Sequence, residues 1–179
     1  MAHPTWCGSA GSPAPHASRR EIDVDLYLMQ HGVAVSEAQD PARPLTELGR
    51  VAVERVTARA VAAGVHVDAC LHSGKLRAEQ TAHVLAAGLR IPAVEARGDL
   101  GPSSPVPPFA QWLVEQDARA SLAVVGHLPF LDRLTSLLVA GEESAQVIRF
   151  RNAGLVKLVP KDDVPGFAID WVLTPDVAS

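Results

Sequence analysis

The chain has few cysteines, no long hydrophobic run and no excess of positive charge, and each lack removes a class of protein. Only Cys7 and Cys70 occur among its 179 residues. Cys7 lies in a loose leader and Cys70 in an apolar run. Two idle thiols in a reducing, cytoplasmic compartment are therefore expected rather than a disulfide. No uninterrupted apolar stretch reaches about 18 residues, so no membrane-spanning segment is predicted. The formal net charge is −4. That gives no bulk attraction to nucleic acid or to an anionic membrane, although a basic pocket can sit on an acidic surface. No internal repeat is visible. His66 and His83 have no partners at metal-ligand spacing. Residues 1–20 are rich in Pro, Gly, Ala and Ser and lack both a periodic apolar pattern and a signal-peptide h-region, so they are expected to form a flexible tail.

What remains is an ordinary globular composition, 47% apolar, in a chain long enough for one domain with a full core, placed at residues 21–179. From Ile22 onward strands and helices alternate. Strands are predicted at 24–29, 67–72 and 122–126, the last fully apolar and so central. Helices are predicted from Thr46 to a stop at Gly64, and over 75–89, 109–118 and 129–140. The first helix is given an inward face of Leu48, Val51, Val53, Val56, Ala60 and Val61. The second turns Leu76, Thr81, Val84 and Leu85 inward. The stretch 98–108, rich in Pro, Gly and Ser, is read as a loop. Three further strands are expected at 147–150, 154–159 and 167–173. This order predicts a three-layer α/β/α sandwich around a mostly parallel sheet with a mixed edge.

Three strands end at chemically capable residues: Gln30-His31-Gly32, then His72-Ser73-Gly74-Lys75 followed by Arg77, then Gly126-His127. If the strands are parallel neighbours, these ends share one sheet edge, where ligands bind in open α/β sheets. Two histidines, Arg77 and Lys75 would then meet a helix N-terminus and form an anion pocket. A neutral imidazole there can attack phosphorus while a second donates a hydrogen bond or proton. Ser73 has no neighbouring His-Asp relay, so it is not read as a nucleophile. His72 is read as a strand-end residue satisfied by backbone. Trp112 and Trp171 are read as packing residues, and Glu142-Glu143 as an exposed charge pair.

Four segments, in order, resemble the histidine phosphatase superfamily and in particular its small SixA-type phosphohistidine phosphatases. They are Leu28-Met29-Gln30-His31-Gly32, Arg43-Pro44-Leu45-Thr46, Ser73-Gly74-Lys75-Leu76-Arg77-Ala78-Glu79-Gln80-Thr81, and Val125-Gly126-His127-Leu128-Pro129. The resemblance implies a phosphoglycerate mutase-like fold and a hydrolase that needs no metal or other cofactor. It implies that His31 is the nucleophile, that Arg77 clamps the phosphoryl oxygens, and that His127 stabilises them from the other side. Arg43 approaches the phosphate or a neighbouring group, with Gln30, Ser73 and Lys75 completing the binding surface. The implied substrate is a phosphorylated protein or a small phosphoramidate. A small-molecule phosphomonoesterase and a catalytically weakened phosphate- or phosphoprotein-binding module are the alternatives.

The sequence departs from the family at Gln30, which stands where the family has arginine. A neutral amide replaces a permanent charge and a bidentate fork. The loss should weaken dianion binding by about 1–3 kcal/mol and leave the pKa of His31 higher than beside an arginine. Lys75 could partly compensate. Asp99 is the only carboxylate in the loop where larger relatives place a general acid, and it reads equally well as a solvated residue. Short connections leave little room for a lid, which suits a bulky protein substrate.

Overall fold

The computed structural model describes residues 25–116, 120–162 and 164–176. The expected tail and Cys7 lie outside them. The strands are β1 (Leu26–Gln30), β2 (Ala69–His72), β3 (Ala93–Ala96), β4 (Leu122–Gly126), β5 (Leu155–Pro160) and β6 (Phe167–Leu173). They form one sheet in the order β3-β2-β4-β1-β5-β6. The first four in that order are parallel, and β5 and β6 add an antiparallel edge. The fully apolar β4 lies between β2 and β1 and is buried along its length.

Helices cover both faces. Alternation along β1 sends Tyr27 and Met29 to one side, where Val53, Val56 and Ala60 of α1 (Glu47–Ala62) join Ala78, Ala82 and Leu85 of α2 (Leu76–Leu89). Leu26 and Leu28 face the other side. There they meet Phe109 and Leu113 of α3 (Val106–Val114) and Phe130, Leu131 and Leu134 of α4 (Phe130–Ala140). The architecture is the three-layer α/β sandwich expected. No helix among the described residues is long and apolar enough to cross a membrane.

Several local expectations need correction. In α1 the buried stripe is Gly49, Val53, Val56, Thr57 and Ala60. Leu48, Val51 and Val61 are exposed, Leu48 by 82%. On α2, Ala78, Thr81, Ala82, Leu85 and Ala86 are buried, while Leu76 and Val84 are only partly so. The short edge strand β3 falls in a segment for which no strand was expected. Helix α3 begins at Val106, inside the expected loop, with Pro107 and Pro108 in its first turn. A first turn tolerates proline because its N–H groups have no intrahelical acceptor. Residues 147–150 form no strand. Glu143 is half-buried and ion-paired with Arg133, so only Glu142 is the exposed charge expected.

Candidate active site

The parallel strands place their carboxyl ends side by side. Gln30 is in register with Gly126, and His72 with Val125. His31, Ser73 and His127, the residues that follow or closely follow these ends, converge there. The imidazoles of His31 and His127 lie 4.8 Å apart, centre to centre, and are inclined by 57°. Arg77, in the first turn of α2, donates from Nε to His31 Nε2 at 3.3 Å. Nδ1 of His31 is 2.7 Å from the Gly32 carbonyl oxygen. A carbonyl can only accept, so Nδ1 carries the proton and Nε2 presents its lone pair to Arg77. Ser73 Oγ is 2.6 Å from His127 Nε2.

The electrostatics keep both rings neutral. Burial pushes the His31 pKa below the ordinary value of 6.5; the Gly32 carbonyl opposes this, and the charges of Arg77 and Arg43 reinforce it. His127 is 2% exposed. Burial, His31 and the cations Arg77, Lys75 and Arg43 lower it to about 3. A guanidinium remains charged in such a setting, so the cluster pairs two neutral imidazoles with fixed positive charge. An incoming phosphoryl dianion matches that distribution.

The chain spacing brings the remaining predicted residues in unequally. Arg43 sits in a left-handed conformation, φ 51°, a rare setting for a non-glycine residue. Its Nε donates to the Val35 carbonyl at 3.4 Å. Lys75 is exposed at the N-cap of α2. It edges a groove of about 560 Å³ shared with Ser73, Gly74, Gly98, Gly101 and Ser104. Gln30 is held by its backbone, N–H to the Gly154 carbonyl at 3.2 Å and carbonyl to the Ala153 N–H at 2.9 Å. Its Oε1 is buried without a hydrogen-bond partner among the described residues. His72 is buried, and its Nδ1 accepts from Gly74 N–H at 3.2 Å, as expected of a strand-end histidine. Asp99 is not a free acid: Arg97 grips both carboxylate oxygens, at 3.0 and 2.7 Å, and holds its pKa down. Arg97 is itself stacked 3.9 Å over Trp112. A larger hollow of about 780 Å³, at the opposite sheet edge between Asp25, His66, Ser121 and Trp171, touches none of the predicted site residues.

Known proteins resemble this chain in sequence and in fold. No family model matches the chain. An uncharacterized protein of Picosynechococcus is 32% identical over 140 residues, covering 75% of this chain and 84% of that protein. The phosphohistidine phosphatase SixA of Escherichia coli is 26% identical over 156 residues, covering 85% of this chain and 94% of that protein. Among solved structures, the protein histidine phosphatase SixA complexed with tungstate matches with a TM-score of 0.76 at 26% identity, over 87% of this chain and 99% of that one. The chain belongs to the histidine phosphatase superfamily. Its likeness is to the SixA-type members, and a putative SixA from Agrobacterium tumefaciens shares the fold with a TM-score of 0.71 at 19% identity.

Within this superfamily frame, three side chains hold the site together without having been singled out as site residues. Asn152 Nδ2 donates to the His31 carbonyl at 2.9 Å. Thr81 Oγ1 accepts from the Gly32 N–H at 3.1 Å. Gln80 Oε1 accepts from the Leu45 N–H at 2.7 Å, tying the loop that carries Arg43 to α2. Gln80 and Thr81 stand inside the family-like segment 73–81, where their polar side chains on an otherwise packed helix are the only local signal. Asn152 had only its place in an Asn-Ala-Gly turn before β5.

Proposed function

We propose that this chain hydrolyses phosphohistidine on a protein, or a small phosphoramidate, through a covalent phosphoryl intermediate on His31. The observation that carries this reading is the 3.3 Å contact from Arg77 Nε to His31 Nε2. It puts a permanent cation beside the one ring nitrogen that has a lone pair to give.

In the first step Nε2 attacks phosphorus, a P–Nε2 bond forms, and the bond to the leaving nitrogen breaks. Arg77 leaves the lone pair for the phosphoryl oxygens, His127 faces them from the other side, and Arg43, Gln30, Ser73 and Lys75 complete the surround. Water then attacks phosphorus in line, the P–Nε2 bond breaks, and inorganic phosphate departs with its protons. Splitting one displacement in two and neutralising the equatorial oxygens are the sources of rate, and no metal is invoked.

The substrate class follows from the leaving group. With Asp99 held by Arg97, that carboxylate is not a free acid for an alkoxide leaving group. A phosphohistidine whose ring is already protonated leaves as neutral imidazole and needs none. The open groove beside Ser73 and Lys75 suits a protein-borne group in a cytoplasmic setting. The neutral Gln30 amide favours a second reading, a phosphoprotein-binding module with weakened chemistry.

The test is to incubate the protein with labelled phosphodonors and look for an acid-labile, base-stable adduct. An adduct that disappears in His31→Ala, with faster turnover of phosphohistidine peptides than of sugar phosphates, is expected. Faster turnover of sugar phosphates would favour a phosphomonoesterase. Tight phosphate binding with neither adduct nor turnover would leave the binding module.

A further inference from the structure

The peptide group joining His31 to Gly32 is gripped at both ends by side chains from separate parts of the chain. Its carbonyl accepts from Asn152 Nδ2 at 2.9 Å and from the Ala153 N–H at 3.3 Å. Its N–H donates to Thr81 Oγ1 at 3.1 Å. The Thr81 hydroxyl in turn donates a hydrogen bond to the Arg77 carbonyl at 2.7 Å, one helical turn back. Thr81 is wholly buried. One hydroxyl therefore bridges the backbone that carries His31 and the backbone that carries Arg77, the two side chains whose nitrogens meet at 3.3 Å.

A threonine facing inward on a helix commonly bonds back to the carbonyl four residues earlier, and that bond alone is local. Here the oxygen is also the acceptor for the N–H that follows the nucleophile. Gly32 cannot easily shift to find another partner, because even a Cβ on it would lie 2.8 Å from the Gly49 carbonyl oxygen. Asn152 fixes the other end of the same peptide, so its rotation is blocked from both sides.

We infer that Thr81 is a positioning residue that sets the distance and angle between Arg77 and His31. It acts through both backbones and does not itself touch the phosphoryl group. The inference rests on the proposed role of His31, but its first readout does not. That readout is the ¹⁵N resonance of His31 Nε2 in the substrate-free protein, which reports whether Arg77 still donates to it.

Thr81→Val keeps the shape and removes the hydroxyl. The expected result is a folded protein in which the Nε2 signal moves to that of a free acceptor. In the same variant kcat per folded molecule falls by about 10- to 100-fold, the scale of an ångström-sized misplacement, while KM changes far less. Thr81→Ser keeps both bonds and loses only a methyl group. It is expected to melt at a lower temperature, yet keep the wild-type Nε2 signal and a kcat within about threefold of the parent. If Thr81→Val folds with the Nε2 signal and kcat unchanged, the inference is overturned. If Thr81→Val does not fold, Thr81→Ser decides: a displaced Nε2 signal there overturns it equally. A wild-type protein with the bonded Nε2 signal but no turnover would instead count against the proposed function alone.

Discussion

Arg77 Nε donates to His31 Nε2 across 3.3 Å, so a fixed cation rests on the lone pair that the proposed reaction uses. The two roles are compatible because the hydrogen bond is to a neutral acceptor and is given up when a charged one arrives. Hydrogen bonds to phosphate oxygens are roughly twice as strong as neutral ones. In the proposed reaction, substrate binding would therefore draw Arg77 off His31 Nε2 and free that nitrogen to attack.

Replacing Arg77 by Lys keeps the charge and loses the planar fork. A lysine ammonium cannot grip two phosphoryl oxygens in the same geometry. The expected cost is about 1.5–3 kcal/mol of phosphate affinity, the range for a hydrogen bond to a charged group. Calorimetric titration with inorganic phosphate measures it. Unchanged affinity would remove Arg77 from the clamp.

The His31 pKa lies below 6.5, with burial as the main cause. The reactive form is neutral, so the proposed activity is lost as pH falls, with its midpoint below that of an ordinary histidine. An NMR titration of His31 in the free protein should give a midpoint under 6.5. His127 adds a stability effect, because its pKa of about 3 is far below that of an unfolded histidine. Below pH 6.5 the unfolded chain takes up a proton that the native site refuses, so stability falls continuously toward pH 3 and is intact above 6.5. His127→Asn should show a shallower loss over that window in urea unfolding.

Gln30→Arg adds the cation that the family places before the nucleophile. Phosphate affinity is expected to rise by about 1–3 kcal/mol, and the His31 midpoint to move lower still. A phosphate titration and a His31 titration that both match the parent would show that position 30 does not act electrostatically.

Gly49→Ala tests how the loop after His31 is braced. Alanine in place of glycine normally favours a helix by about 1 kcal/mol. Here the added Cβ would run into the Val33 carbonyl oxygen, which also accepts from Thr46 N–H and Oγ1. The sign is expected to reverse, with a net loss of about 1–3 kcal/mol from overpacking, read as a lower melting temperature.

The parts of the molecule legible in the sequence are those where one strong signal acts alone. The unbroken apolar run 122–126 is β4 without adjustment, and Thr46 caps α1 through the Gly49 N–H as its residue type suggests. The inward face of α1 was legible in part: Val53, Val56 and Ala60 are buried as expected, but Leu48, Val51 and Val61 are not, because apolar residues surround much of that helix. Packing against a neighbouring helix selects the stripe with small Gly49 and Ala60, leaving Leu48 in solvent. The strand β3 has four residues, two of them alanine, and little alternation to read. In the candidate site, the convergence of His31 and His127 was legible because two histidines follow the ends of strands that prove to be parallel neighbours. Asn152 was not, because its partner is a backbone carbonyl 121 residues earlier.

That separation has a consequence for how the protein comes to life. The ends of β1, β2 and β4 could gather from residues 25–127 alone, and His31, Arg77 and His127 would be near one another. The carbonyl of His31 would still lack its two donors, which arrive only when the turn before β5 docks. A nascent or truncated chain that ends before this turn is therefore expected to hold the histidines loosely, with little activity. Turnover would then serve as an assay for completed folding, since the last elements to emerge are the ones that lock the first.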